Sequence, residues 1–271
     1  MKPTPYPHVN DVLDELLSRI RAVLGERLIG LYVFGSLVAG GFDDDVSDID
    51  LLAAVTRDID DEALEALRTL HDGVVRDYPR WQDRIEVAYV SLVALQTFKA
   101  RRSRIAIISP GEPLHFKDAG RDWLMNWYLV RESDTTLYGP PPREVIAPVS
   151  KAEFIAAVRA HARAWAQWMG QPPGRGSRSY AILTMCRALY AHRVGEHTSK
   201  EQAASWAQGE LPEWADLIRD ALLWRGTPNA PEGARDATVA DTMRFVRLLA
   251  DLCSPAPSDG DSRDGQGISP R

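Results

Sequence analysis

The segment FGSLVAGGFDDDVSDIDLLAAV, residues 34–55, constrains this chain more than any other stretch. It sets Gly35-Ser36 at the end of one apolar run, LIGLYVFG (28–35), and Asp48-Ile49-Asp50 at the start of another, DIDLLAAV (48–55). Short apolar runs bounded by Gly and Asp read as buried strands. Side chains alternate along a strand, so Asp48 and Asp50 project from one face, their backbone origins roughly 6.6 Å apart, while Ile49 and Leu51 point the other way. Two carboxylates at that separation can bracket one or two divalent cations, which pair at about 3.5–4 Å. Gly35 lets the backbone come close to a phosphate, and the neighbouring amide and the Ser36 hydroxyl can donate to its oxygens.

A third carboxylate, Glu86, lies in RIEVAYVSL (84–92), a run that reads as a strand buried on both faces. Three carboxylates taken out of water repel one another and lose hydration, so protons or metal ions must compensate. Near neutral pH a hard divalent cation with oxygen ligands does this, which is the physical case for Mg²⁺.

The flanking pattern sets these strands in a mixed domain. Apolar residues at three- and four-residue spacing predict helices over 10–24, behind Asn10 as a cap, and over 60–77, and residues 121–132 also read as helical. Helix, strand, strand, helix, strand is the order of an α/β or α+β unit. LYGPPPREVIAPV (137–149) puts one Gly and four Pro into thirteen residues, which interrupts helices and ladders alike. The domain boundary is therefore expected there, with residues 1–148 as one domain and 149–253 as a helical one. Helices are expected at 151–169, 178–194, 199–209, 212–224 and 236–253, with Trp165, Trp168, Trp206, Trp214 and Trp224 in their core. The tail 254–271, rich in Ser, Pro, Gly and Asp, reads as disordered.

Composition narrows the function. With 32 Lys plus Arg against 38 Asp plus Glu the net charge is −6, which argues against a protein that grips nucleic acid through general backbone electrostatics. No run approaches the roughly 20 apolar residues of a membrane span, and the N-terminal stretch lacks a signal-peptide core, so a cytoplasmic protein is expected, acting as a monomer. Cys186 and Cys253 fall in helical runs and build neither a disulfide framework nor a CxxC metal site.

Gly35-Ser36, Asp48-x-Asp50 and Glu86 together resemble the signature of the DNA polymerase β-like nucleotidyltransferases: Gly-Ser, then Asp-x-Asp about a dozen residues later, then a carboxylate on a neighbouring strand. LYGPPP and the stretch SYAILTMCRALYAHRVGEHTSKEQAASWAQGELPEW sharpen the resemblance toward the aminoglycoside 3''-type (streptomycin and spectinomycin) adenylyltransferases, over roughly residues 28–225. The resemblance implies an α+β nucleotidyltransferase domain, a small mixed sheet with helices, followed by an all-α bundle. It implies transfer of AMP from ATP to a hydroxyl of a small molecule of the aminoglycoside-antibiotic class, with release of pyrophosphate. Asp48, Asp50 and Glu86 would hold Mg²⁺, and Glu86 would deprotonate the acceptor. The Gly35 backbone, Ser36 and Ser47 would contact the triphosphate, with Arg187 and Lys200 reaching the nucleotide from the helical half.

Trp123 and Trp127, four residues apart, are expected to share one helical face and line the acceptor pocket. Where the family carries acidic residues before the Arg-bearing helix, this chain has GRGSRS (174–179), and Arg175 and Arg178 there would repel a polycation. Two other readings therefore stand: the same transfer to a different, anionic acceptor, or a nucleotide-binding regulator without turnover.

Overall fold

The computed structural model describes residues 3–133, 135–168, 174–228, 230 and 238–254. The Trp168 side chain and the expected disordered tail beyond Ser254 lie outside the described residues. The chain runs α1 (Pro7–Leu24), β1 (Leu28–Phe34), α2 (Ser36–Ala39), β2 (Ile49–Val55), α3 (Asp61–Asp77), β3 (Ile85–Ser91), α4 (Leu92–Thr97), β4 (Ser103–Ser109), β5 (Glu112–Ala119), α5 (Leu124–Glu132), β6 (Thr136–Tyr138) and α6 (Pro142–Val145). Five helices follow: α7 (Lys151–Trp168), α8 (Arg175–Val194), α9 (Lys200–Glu210), α10 (Ala215–Gly226) and α11 (Val239–Leu252). No helix among the described residues is long and apolar enough to cross a membrane.

The six strands form one mixed sheet in the order β5-β4-β3-β2-β1-β6. Only β2 and β3 run parallel; α3 makes the crossover that a parallel pair requires. Strand alternation divides the apolar side chains between two cores. Leu31, Val33, Ile49, Leu51, Val87 and Tyr89 pack beneath α1 and α3. Tyr32, Phe34, Leu52, Ala54, Ala88 and Val90 face α4, α5 and the segment ending at Val149. Asp50 and Glu86 continue the rows of Leu52 and Ala88, so both carboxylates emerge on the α5 side of the sheet. A third core holds α7 to α11 together, with Trp224 buried and Trp165, Trp206 and Trp214 packed on its border. Tyr128 of α5 stacks on Phe154 of α7 with centroids 4.2 Å apart, joining the sheet half to the helical half.

Several elements differ from the sequence expectation. Helix α1 starts at Pro7, whose fixed φ and missing N–H suit a first turn, and not behind Asn10. The Asn10 side chain is buried and tied to Thr4: it accepts from the Thr4 amide at 3.0 Å and donates to the Thr4 carbonyl at 2.9 Å. The β4–β5 hairpin was not expected. Its turn, Pro110-Gly111 with Gly111 at φ 75, is a legible signal, but β5 is an edge strand with few buried positions and a weak apolar pattern.

One buried polar pair lies under the sheet. His71 of α3 is 2% exposed and its Nε2 is 2.9 Å from the Tyr89 hydroxyl of β3. Burial lowers the His71 pKa to about 4, so between pH 4 and 6.5 the native state binds fewer protons than the unfolded chain. The resulting stability is complete above pH 6.5 and is lost as pH falls toward 4, an expected loss of about 3 kcal/mol. Urea unfolding at pH 7 and 4.5 checks this. The paired variant His71→Phe with Tyr89→Phe, which removes both partners together, should lack this component of the acid sensitivity.

Candidate active site

The site is built outward from the turn that ends β1. Phe34 pairs with Asp50 across the antiparallel β1–β2 ladder, and Gly35 follows at φ 70, ψ −145. A Cβ on Gly35 would fall 1.9 Å from the Asp50 Oδ2, so the glycine is required by conformation and by the carboxylate packed against it. Ser36 opens the single-turn helix α2. The loop beyond it is locked by its own polar groups. The Ser47 hydroxyl accepts from the Asp43 amide at 2.9 Å, and the Ser47 amide donates to the Asp43 carbonyl at 2.8 Å. Arg84, lying over the Trp81 ring, donates to the carbonyls of Ser47 at 2.5 Å and Asp44 at 3.0 Å. Asp44 itself pairs with Arg80 at 2.7 Å and His8 at 2.6 Å, so its charge is answered away from the cavity.

Beyond this loop, Asp48, Asp50 and Glu86 converge. Asp50 and Glu86 are register partners on the parallel strands β2 and β3, whose spacing is about 4.8 Å. Burial, followed by the charges of Glu86 and Asp48, pushes the Asp50 carboxyl up to about 8. Burial raises Asp48 against the pull of Arg84, Lys200 and Arg225. Burial also raises Glu86, opposed chiefly by a hydrogen bond from Ser109. Among the described residues no three acidic, histidine or cysteine side chains already form a closed metal cage. Carboxylates so reluctant to ionise, arranged around an open cavity, fit a Mg²⁺ that takes one or two protein ligands and completes its shell from phosphates.

The same cavity, of about 560 Å³, is closed on its far side by the helical half. Arg187 of α8 and Lys200 at the start of α9 line it opposite the carboxylates. Burial, then the neighbouring Arg187 and Arg225, lowers the Lys200 pKa to about 8. The Lys200 ammonium sits 4.8 Å from the Tyr180 ring centroid, a cation–π contact that aims it. Gly35, Ser36, Ser47, Asp48, Asp50, Glu86, Arg187 and Lys200 thus border one space.

The structure also corrects two expectations and adds a second role to a third residue. Trp123 and Trp127 do stack, with centroids 5.3 Å apart, but Trp127 is 2% exposed in the core between sheet and α5, and neither ring borders the cavity. Helix α5 is turned so that Met125, Asn126 and Leu129 face the cavity instead. The Ser47 hydroxyl accepts from both the Asp43 amide and Arg225, so it braces the loop, while its own proton is left to donate toward the cavity it borders. Arg175 and Arg178 belong to the first turn of α8 and do not border the cavity; Arg178 is buried with its guanidinium over the Trp224 ring. Their supposed repulsion of a cationic acceptor, and the argument for an anionic one, therefore lose their ground.

Arg225 went unnoticed in the sequence because it is one arginine among many at a helix C-terminus. In the structure its side chain, 14% exposed, pairs with Glu201 at 2.5 Å and donates to the Ser47 hydroxyl at 3.0 Å. It therefore joins the ends of α10 and α9 to the loop that delivers Asp48. At the same seam Gly41, at φ 93, lies so close to α9 that an added Cβ would be 2.8 Å from the Ser199 Cβ.

A mixed sheet with Gly-Ser ending one strand, Asp-x-Asp opening its antiparallel neighbour and a carboxylate on the next, faced by helices, is the α+β arrangement that the sequence resemblance implies. Residues 144–247 match the family described as aminoglycoside adenylyltransferase, C-terminal domain. The whole fold is similar to a spectinomycin adenyltransferase of Enterococcus faecialis, solved with ATP and spectinomycin. The TM-score is 0.71 at 17% sequence identity, over 90% of this chain and 98% of that one.

Proposed function

We propose that this protein transfers AMP from ATP to a hydroxyl of a small molecule of the aminoglycoside-antibiotic class, releasing pyrophosphate. One observation carries the reading: Asp50 and Glu86 on adjacent strands, and Asp48 just before the first of them, line a single cavity together with Arg187, Lys200 and Arg225. The C-terminal family and the likeness to an adenyltransferase solved with ATP and spectinomycin support it. Residues 1–148 act as the nucleotide-handling domain and 149–253 as the domain that closes over it. The acidic net charge and a cavity formed within one chain favour a cytoplasmic monomer that needs no nucleic acid.

Asp48 and Asp50, with Glu86 beside them, would hold Mg²⁺, which when bound neutralises charge on the triphosphate. The Gly35 backbone and Ser36, which line the same cavity, would donate to phosphate oxygens. Glu86, raised by burial, is a better proton acceptor than an exposed carboxylate and takes the proton of the acceptor hydroxyl; such help contributes about 10²–10⁴-fold. The acceptor oxygen then bonds to the α-phosphorus as the bond to pyrophosphate breaks, and Arg187 and Lys200 receive the charge that leaves.

The direct test incubates the protein with MgATP and a panel that includes streptomycin and spectinomycin. An acceptor heavier by one AMP and an equal yield of pyrophosphate are expected; neither product with any drug overturns the reading. Arg225→Ala should lower kcat/KM for ATP about tenfold, or about 1.4 kcal/mol, by freeing the loop before Asp48. Arg225→Lys, which keeps one charged donor, should recover part of that loss in steady-state pyrophosphate assays.

A further inference from the structure

The loop that delivers Asp48 has two sides. Gly40, Gly41, Val46, Ser47 and Asp48 border the cavity, whereas Phe42 and Asp44 do not. Those two meet the segment that enters α1. Tyr6 packs on Phe42 with ring centroids 4.7 Å apart, and His8 stacks on Trp81 at 6.2 Å with an interplanar angle of 15°. The entering segment is itself fixed, because Thr4 and Asn10, both buried, bond through their side chains at 2.9 Å. The His8 Nε2 lies 2.6 Å from Asp44 Oδ1; an ionised carboxylate only accepts, so Nε2 carries the proton. Asp44 Oδ2 takes Arg80, from the connection between α3 and β3, at 2.7 Å. One carboxylate thus bridges α1 and that connection, and the loop ahead of Asp48 is pinned at Asp44 from outside the cavity.

We propose that His8 is a positioning residue for the metal site: by holding Asp44 it keeps the loop in the placement that presents Asp48 to Mg²⁺. Without that hold the loop divides its time between competent and displaced placements. The apparent affinity for the ion then falls by the competent fraction, and a saturating concentration of the ion restores the competent population. His8 therefore sets how much Mg²⁺ the enzyme needs, and not how fast it turns over once the ion is bound. This assignment rests on the adenylyl-transfer reading above and adds what governs the metal requirement of that site.

His8→Phe keeps a flat ring against Trp81 and removes the donor, whereas His8→Gln removes the ring and keeps a donor with nearly the reach of Nε2. In the metal-free protein at pH 7, amide exchange at Asp43 and Ser47 should quicken about fivefold or more in His8→Phe and stay within about twofold of wild type in His8→Gln. At pH 8 the midpoint of the Mg²⁺-induced rise in melting temperature should move to about fivefold more Mg²⁺ in His8→Phe. Half-maximal pyrophosphate release at fixed ATP should shift equally, with kcat at saturating Mg²⁺ within about twofold of wild type. The metal-free melting temperature should change by less than about 3 °C, because the pair is partly exposed. A His8→Phe protein with wild-type exchange and a wild-type Mg²⁺ midpoint overturns the assignment. So does a His8→Gln protein no better than His8→Phe, or a kcat loss that saturating Mg²⁺ does not repair. Absence of pyrophosphate from the wild-type protein with every acceptor overturns the transfer reading alone, since exchange and melting judge His8 without turnover.

Discussion

Asp50→Asn is expected to lower kcat for pyrophosphate release by about 10³ or more while raising the melting temperature of the metal-free protein at pH 8. The two effects have one origin. Asp50 is held up to about 8 by burial and by Glu86 and Asp48, so between pH 4 and 8 the native state keeps a proton that the unfolded chain has released. Stability from this group is therefore complete below pH 4 and is lost as pH rises toward 8, at a slope of less than about 1.4 kcal/mol per pH unit. Asparagine has no proton to lose, so the variant should gain on wild type as pH rises and match it near pH 4. Mg²⁺ should reverse the comparison: it stabilises wild type at pH 8, does so far less in Asp50→Asn, and binds wild type more weakly as protons compete toward pH 5. Thermal melts at pH 4, 6 and 8, with and without Mg²⁺, separate these outcomes. An Asp50→Asn protein that releases pyrophosphate at the wild-type rate would remove the carboxylates from the chemistry.

Gly35→Ala should damage catalysis and stability together. The residue sits at φ 70, ψ −145, where a side chain costs about 1–3 kcal/mol, and its Cβ would lie 1.9 Å from Asp50 Oδ2. Because Asp50 must shift to make room, a loss of about 10² in kcat is expected beside a stability loss of about 2 kcal/mol or more. Gly40→Ala is the matched control. Gly40 also has positive φ, at 73, but nothing lies within 4 Å of its added Cβ, so it should lose stability with little change in kcat. Urea unfolding and steady-state assays on both variants read the difference; equal kcat losses would mean that contact with Asp50 does not matter.

How much of this was legible in the sequence depended on whether the signal was local. Asp48, Asp50 and the Gly35-Ser36 turn lie within one segment whose alternation already states which side chains share a face. Glu86 is distant in the chain, but as one acid in an apolar strand it carried its own mark. Periodicity also located the helices of the second half. The misplaced residues share a different cause. The separation of Trp123 and Trp127 predicts a common face but not which way it turns, and the sheet core rather than the cavity claimed it. Arg175 and Arg178 looked exposed because Gly and Ser surround them, whereas Arg178 is buried against Trp224 through a contact that spans 46 residues. Arg225 matters only through partners on other elements, and nothing beside it in the chain announces it.

The tight seam at Gly41 bears on how such proteins can be recombined. The acids of the cavity come from the sheet half and Arg187, Lys200 and Arg225 from the helical half, which invites chimaeras that pair one half with another protein's. Such a hybrid inherits a joint with no room for a side chain at position 41, where Ser199 and Glu201 press against the loop, and with a ring of contacts from Arg225 to Glu201 and Ser47 that crosses it. The unit of exchange is therefore larger than the helical bundle: the glycine loop must travel with it.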